Sequence, residues 1–167
     1  SLTCTGTPTA VKTEYYDNLR RLVKTQHTAG EISRYNSIRY NYNNQKLFES
    51  YPSLIPNEEK GISTVYDGVG RPLEISKSGL GKTSNNYLAG NKIEVTDPRG
   101  YSTINSYLAF GSPAQSSLVE IESPESVTTS IDYNVYGQVL SVTQSGLSKD
   151  GNQITQTEYH VYDPNDQ

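Results

Sequence analysis

The chain reads as all-β: consecutive antiparallel β-hairpins forming a curved, twisted sheet. Three observations lead there. A tyrosine-led phrase returns along the sequence at short, fairly regular intervals. The segments around it alternate with a period of two, the strand signal. The apolar supply is also thin, at 33% of 167 residues, with no Met or Trp, 14 Tyr and only two Phe, Phe48 and Phe110. Ordinary globular domains carry about 45–50% apolar residues when glycine is counted. Tyrosine offers large apolar area but needs a wet or hydrogen-bonded hydroxyl, so a thin sheet with a solvated face fits this composition. Disorder does not, given the Tyr, Val, Ile and Thr content.

In chain order, the first copy is Tyr16-Asp17-Asn18-Leu19-Arg20-Arg21-Leu22. Tyr15 to Lys24 is the nearest approach to a helical stripe, and it is short. The second copy is assigned to Tyr42-Asn43-Asn44-Gln45-Lys46-Leu47, one residue short of the pattern. The fullest copy is Tyr66-Asp67-Gly68-Val69-Gly70-Arg71-Pro72-Leu73, after which Ile75 and Lys77 extend the strand opened by Leu73. Ser78-Gly79-Leu80-Gly81 supplies a turn, and Tyr87-Leu88-Ala89-Gly90-Asn91-Lys92-Ile93 a further copy. In Lys92 to Thr96, Ile93 and Val95 oppose Glu94 and Thr96, and Asp97-Pro98-Arg99-Gly100 turns the chain again. Tyr107-Leu108-Ala109-Phe110-Gly111-Ser112-Pro113 follows, then a turn at Ser123-Pro124-Glu125-Ser126. Val127, Thr129, Ile131 and Tyr133 share one face of the strand that leads into Tyr133-Asn134-Val135-Tyr136-Gly137-Gln138-Val139-Leu140. Lys149-Asp150-Gly151-Asn152 is the last full turn. Ile154 to Val161 presents two polar faces, and Tyr162-Asp163-Pro164-Asn165-Asp166-Gln167 is a copy cut off by the chain end.

Within the phrase each residue has a task. Tyr closes a strand, Asp or Asn starts the turn by bonding nearby backbone amides, and Gly takes the positive φ other residues resist. Arg, Gln or Lys and then an apolar residue open the return. Residues 1–167 thus form a single array of about seven loose repeats and about ten to thirteen strands. A start without Met and a stop inside a copy lead us to expect an internal segment of a much larger protein.

Tyr66-Asp67-Gly68-Val69-Gly70-Arg71-Pro72-Leu73, together with Thr96-Asp97-Pro98-Arg99-Gly100-Tyr101-Ser102-Thr103, resembles the RHS/YD-repeat family. That family's pattern is Tyr-Asp, two variable residues and Gly-Arg-Leu, with Thr-Asp-Pro-x-Gly-x-x-Thr as companion. Here Arg20 stands in a glycine's place, and Leu108 and Asn134 in an aspartate's. The resemblance covers most of the chain and implies a segment of a spiralling β-shell. Its bacterial members are large secreted or cell-surface proteins, among them toxin-complex subunits and polymorphic toxins; animal teneurins build a similar shell for adhesion. The implied role is non-enzymatic and structural, encapsulation or scaffold. The implied partners are the remaining repeats of the parent chain and an enclosed toxin domain or toxin-complex subunit. A cell-surface binding module presenting tyrosines to carbohydrate or a partner protein is the alternative.

Chemistry finds little purchase. A net charge of −4 with scattered cations gives no reason to expect nucleic acid, and no apolar run approaches the ~18 residues of a membrane-spanning helix. Asp17, Asp67, Asp97, Asp132 and Asp163 recur beside turns, where Asp bonds its own backbone, and neither Asp150-Gly151-Asn152 nor Asp163 to Asp166 completes a calcium loop. His27 and His160 have no neighbouring Cys or acid cluster. Cys4 is alone and reads as a bystander. Gly79-Leu80-Gly81-Lys82-Thr83 ends like a phosphate loop but lacks the upstream glycine. Asp97-Pro98-Arg99-Gly100 shares its opening with the family's self-cleaving core but continues as ordinary repeat. No catalytic residue, cofactor-binding residue, metal ligand or cofactor is assigned. Self-association through unpaired sheet edges is expected.

Overall fold

In a computed structural model of the chain, residues 10–109 and 116–162 are described. They form thirteen antiparallel strands in a sheet whose strand order is the order of the chain. These are β1 (Ala10–Tyr16), β2 (Leu22–Ala29), β3 (Ile32–Tyr40), β4 (Lys46–Ser50), β5 (Gly61–Tyr66), β6 (Pro72–Lys77), β7 (Gly81–Leu88), β8 (Lys92–Thr96), β9 (Ser102–Ala109), β10 (Ser116–Glu122), β11 (Thr128–Tyr133), β12 (Val139–Leu147) and β13 (Gln153–Tyr159). The stretch from Tyr15 to Lys24 is the hairpin of β1 and β2. Contacts divide the chain into two compact units, Ser1–Lys82 and Thr83–Gln167.

One five-residue turn is used again and again. In it the first residue's N–H donates to the fifth residue's carbonyl, and the fourth residue's N–H returns to the first residue's carbonyl. It occurs at 17–21, 41–45 and 67–71 in the first unit, and at 97–101, 123–127, 134–138 and 148–152 in the second. The fourth position always has positive φ: Gly70 at 90°, Gly100 at 88°, Gly137 at 80° and Gly151 at 79°. Arg20, Asn44 and Ser126 take the same left-handed conformation near 60°, so the turn survives where glycine is replaced.

Two of the expected copies need correction. The second turn begins at Asn41, so its strand-closing residue is Tyr40 and its copy, Tyr40 to Leu47, is full length. Tyr42 is instead a turn residue standing fully in solvent. Tyr87 leads into a shorter loop of Ala89, Gly90 and Asn91, because Gly90 and Asn91 both take positive φ and close the hairpin early.

Five of the tyrosine copies also carry a β-bulge, where two residues oppose one; the Tyr87 copy runs in unbroken register. Tyr16 faces Leu22 with Val23 skipped, Tyr40 faces Lys46 with Leu47 skipped, and Tyr66 faces Pro72 with Leu73 skipped. In the second unit Tyr133 faces Val139 with Leu140 skipped, and Tyr107 faces Leu118 with Val119 skipped. In the Tyr40, Tyr66 and Tyr133 copies the apolar residue that ends the phrase is therefore the bulged one. The turns at 97–101, 123–127 and 148–152 run without a bulge. In the second unit strand direction puts these three on the sheet margin opposite the one that holds the Tyr107 and Tyr133 bulges.

The core is thin. Among the described residues only Ile38 and Phe48 are buried apolar side chains, accompanied by Thr25, Ser50, Ser106 and Ser141. Phe48 shares a face with Arg39, whose guanidinium lies 4.3 Å from its ring centre, while Ile38 points to the other face. Gly61 leaves room for the backbone of Glu49 and Ser50, against which a Cβ would collide. In the second unit register brings Ser106, Glu120, Ser130, Thr143 and Thr157 into one polar row, with Ile93, Ile121, Ile131 and Val142 on the opposite face. β11 alternates as expected, with Thr129, Ile131 and Tyr133 more covered than Ser130 and Asp132. β8 does not, since Glu94 and Thr96 are half-buried along with Ile93 and Val95.

Candidate functional site

The feature that repeats most faithfully is the tyrosine and its turn. Asp17 Oδ1 accepts the N–H groups of Leu19 and Arg21, both at 2.9 Å, and its Oδ2 receives Arg21 Nε at 2.7 Å. Asp67 repeats this with Val69, Arg71 and the Arg71 side chain. Where the first residue is Asn, the fifth is Gln. Asn41 and Asn134 accept the same two backbone N–H groups and donate Nδ2 to Gln45 Oε1 and Gln138 Oε1. Acid is matched with guanidinium and amide with amide. Asp97 keeps the backbone pattern, but Arg99, at the third position, supplies the cation.

The tyrosine hydroxyls join one copy to the next. Tyr40 donates to the carbonyl of Leu22 at 3.1 Å, and Tyr66 to that of Lys46 at 3.0 Å. In the second unit Tyr133 reaches Leu118 and Tyr162 reaches Val139, each at 2.8 Å. Every acceptor is the residue facing the previous copy's tyrosine across its bulge, so the bulge presents a carbonyl to the next hydroxyl. Fifth-position side chains add a second link: Arg21 Nη1 donates to Asn41 O and stacks its guanidinium 4.8 Å from the Tyr40 ring centre, while Gln45 Nε2 donates to Gly70 O. The hydroxyl of Tyr16, first in the described array, donates within its own strand, to Glu14 Oε2 at 2.7 Å.

These carboxylates are poorly suited to proton transfer. Backbone N–H donation from Arg21, Arg71 and Tyr101, with the paired arginines behind it, holds Asp17, Asp67 and Asp97 below the usual carboxylate range. A general base works best with a pKa near the operating pH and a lone pair free for substrate. Asp132 lies within β11 rather than at a turn, and its carboxylate accepts the hydroxyl of buried Ser141. Asp150 is the third residue of its turn. His27 stands in register between Lys12 and Arg34; His160 donates its backbone N–H to Leu140 O and has Glu158 3.9 Å away. Lys82 pairs with Glu74, in keeping with a hairpin position. Among the described residues, no group of three or more His, Cys, Asp or Glu is placed to hold a metal ion. There is likewise no helix long and apolar enough to cross a membrane. Cys4, Phe110 and Asp163 to Gln167 lie outside the described residues.

Shallow grooves lie between consecutive turns. One of about 450 Å³ is lined by Leu19, Arg21, Tyr40, Asn41, Tyr42 and Leu47. In the second unit a groove of about 480 Å³ includes Val119, Ile131, Tyr133 and Val135, and another of about 590 Å³ includes Val95, Asp97, Arg99, Tyr101 and Pro124. They recur with the repeat instead of converging on one constellation. A scan against protein-family models and a search of curated proteins each return no match. The links made by Arg21 and Gln45 were not foreseen, although the recurrent cation or amide after the turn was the available signal.

Proposed function

We propose that this chain is a non-enzymatic structural segment of an RHS/YD-type repeat scaffold, the wall of a shell or surface assembly in a large secreted bacterial protein. The observation that carries the reading is the relay of hydroxyl to bulge carbonyl from one copy to the next. In such an array each unit is stabilised by its neighbours, and stability accrues from unit terms and interface terms. The polar side chains are spent on turns and links, which is the economy of a scaffold. Encapsulation of a toxin domain is the form of scaffold that the sequence resemblance favours.

A second reading has its own observation. Tyr42 and Tyr136 project from turn tips, 105% and 75% exposed, and rigid exposed rings serve recognition. A glycan array probed with the whole chain separates the two. Scaffold function predicts no saturable binding to any sugar class. Saturable binding that disappears in Tyr42→Ala or Tyr136→Ala establishes the binding module instead.

A further inference from the structure

We infer that Lys12, His27 and Arg34 form an anion site on one face of the first unit, suited to a tetrahedral oxyanion, sulfate or phosphate. The inference does not rest on the scaffold reading. It begins with strand register. Lys12 faces His27 across β1 and β2, and His27 faces Arg34 across β2 and β3. Residues directly opposite in an antiparallel pair project to the same face, with Cβ atoms about 4.5–5.5 Å apart. Three basic side chains therefore stand in one row across three neighbouring strands. All three are exposed.

Like charges directly opposite one another destabilise a sheet, and an anion above the row relieves that cost. Arg34 makes no hydrogen bond, ion pair or ring contact among the described residues. Its planar fork is free to take two oxygens of a sulfate or phosphate. His27 adds an N–H and, when protonated, a charge. Lys12 turns along its own strand to Glu14, whose carboxylate also accepts the Tyr16 hydroxyl. Lys12 first and Tyr16 second hold Glu14 below the usual carboxylate range, and His27 adds a smaller part. The acid thus already feels the imidazole and competes with an incoming anion for Lys12.

The neighbouring rows on that face set what else a ligand meets. On one side lie Ala10, Ala29 and Ile32, small or apolar and all exposed. On the other lie Glu14, Thr25 and Asn36. The alanines leave space beside the row, and Ile32 offers an apolar contact to the carbon skeleton of an ester. The charged groups facing His27 are Lys12 and Glu14 from β1 and Arg34 from β3, with Glu31 in the two-residue turn beyond. Proton and anion binding are therefore linked. An anion over the row favours the imidazolium, so binding takes up a proton and tightens as pH falls through the histidine range at about 6.5.

The test uses the whole chain and inorganic sulfate, whose charge is constant over this range. The chain has two histidines, so NMR follows the ring protons of His27 and His160 separately at fixed ionic strength. The His27 signals should move along a saturating curve while those of His160 stay still. Binding should be about five- to tenfold tighter at about pH 5.5 than at about pH 7.5. Arg34→Gln should abolish the saturation and leave the circular dichroism unchanged. Glu14→Gln, which frees Lys12, should tighten binding about threefold, the scale of one surface ion pair. Phenyl phosphate compared with inorganic phosphate identifies the source: tighter binding of the ester assigns the site to an esterified group, equal binding to the free ion. Signals of His27 and His160 that drift together without saturating overturn the inference. So does an Arg34→Gln curve like that of the wild type, or binding indifferent to pH.

Discussion

Tyr40 and Tyr42 lie two residues apart in one repeat and make the sharpest comparison in the chain. Tyr40→Ala removes the hydroxyl bond to Leu22 O, net about 1 kcal/mol. It also removes the Arg21 stacking contact, about 0.5–1 kcal/mol. The half-buried ring adds about 1–2 kcal/mol, since a fully buried aromatic costs about 3–5. The total is about 3 kcal/mol. Tyr42→Ala takes away a ring standing in solvent and should leave the unfolding midpoint unchanged. Urea unfolding followed by far-UV circular dichroism gives both values, and equal m-values establish that the midpoints report stability. The reasoning fails if Tyr42→Ala is the damaging change, or if the two variants unfold alike; either result restores the copy that starts at Tyr42.

Three further expectations concern the turns. Gly70→Val should destabilise by about 2 kcal/mol, because φ is 90° and the new Cβ meets Gln45 Nε2, whereas Gly68→Ala enters open space and should be nearly neutral in the same assay. Arg20→Gly should stabilise by about 0.5–1 kcal/mol by relieving a non-glycine residue at φ 60°, and a lower melting temperature would show that the Arg20 side chain matters more than its backbone. The depressed pKa values of Asp17, Asp67 and Asp97 mean that the unfolded chain binds protons more readily than the folded one. Their contribution is present above the ordinary aspartate value near 3.8 and fades as pH falls through the lower folded values. Melting temperature should therefore fall below about pH 4, and Asp17→Asn with Asp67→Asn should flatten that fall; an unchanged acid limb would show that these carboxylates are not responsible.

The sequence made the strands and turns legible wherever each position carried a diagnostic residue, as from Tyr66 to Leu73. There Asp bonds the backbone, Gly takes positive φ and Arg closes the clamp. It misled at the second copy, where two tyrosines bracket Asn41 and Asn44 does a glycine's work. Counting from the Asx residue rather than from the tyrosine would have found Tyr40. Ser123 was legible as a turn residue but not as the opening of the same turn, because Ser126 adopts a conformation for which sequence offers no strong cue, and the turn read from Lys149 opens one residue earlier, at Ser148. The hydroxyl relay was hidden for another reason. Its acceptors, Leu22, Lys46, Leu118 and Val139, carry no side-chain signature, since what they present is a backbone carbonyl exposed by a bulge. Only the apolar residue that follows each of them leaves a trace in the sequence.

The relay itself is tested most directly by removing single hydroxyl groups. Tyr40→Phe, Tyr66→Phe and Tyr133→Phe each delete one donor and leave the ring in place, while Tyr16→Phe deletes a hydroxyl that donates to Glu14 of its own strand. Equilibrium unfolding of the four variants should show losses of about 1 kcal/mol for the first three and no change of midpoint for Tyr16→Phe. Four unchanged midpoints, or a loss at Tyr16 equal to the others, would contradict a structure in which Tyr40, Tyr66 and Tyr133 each hold their repeat to the one before it.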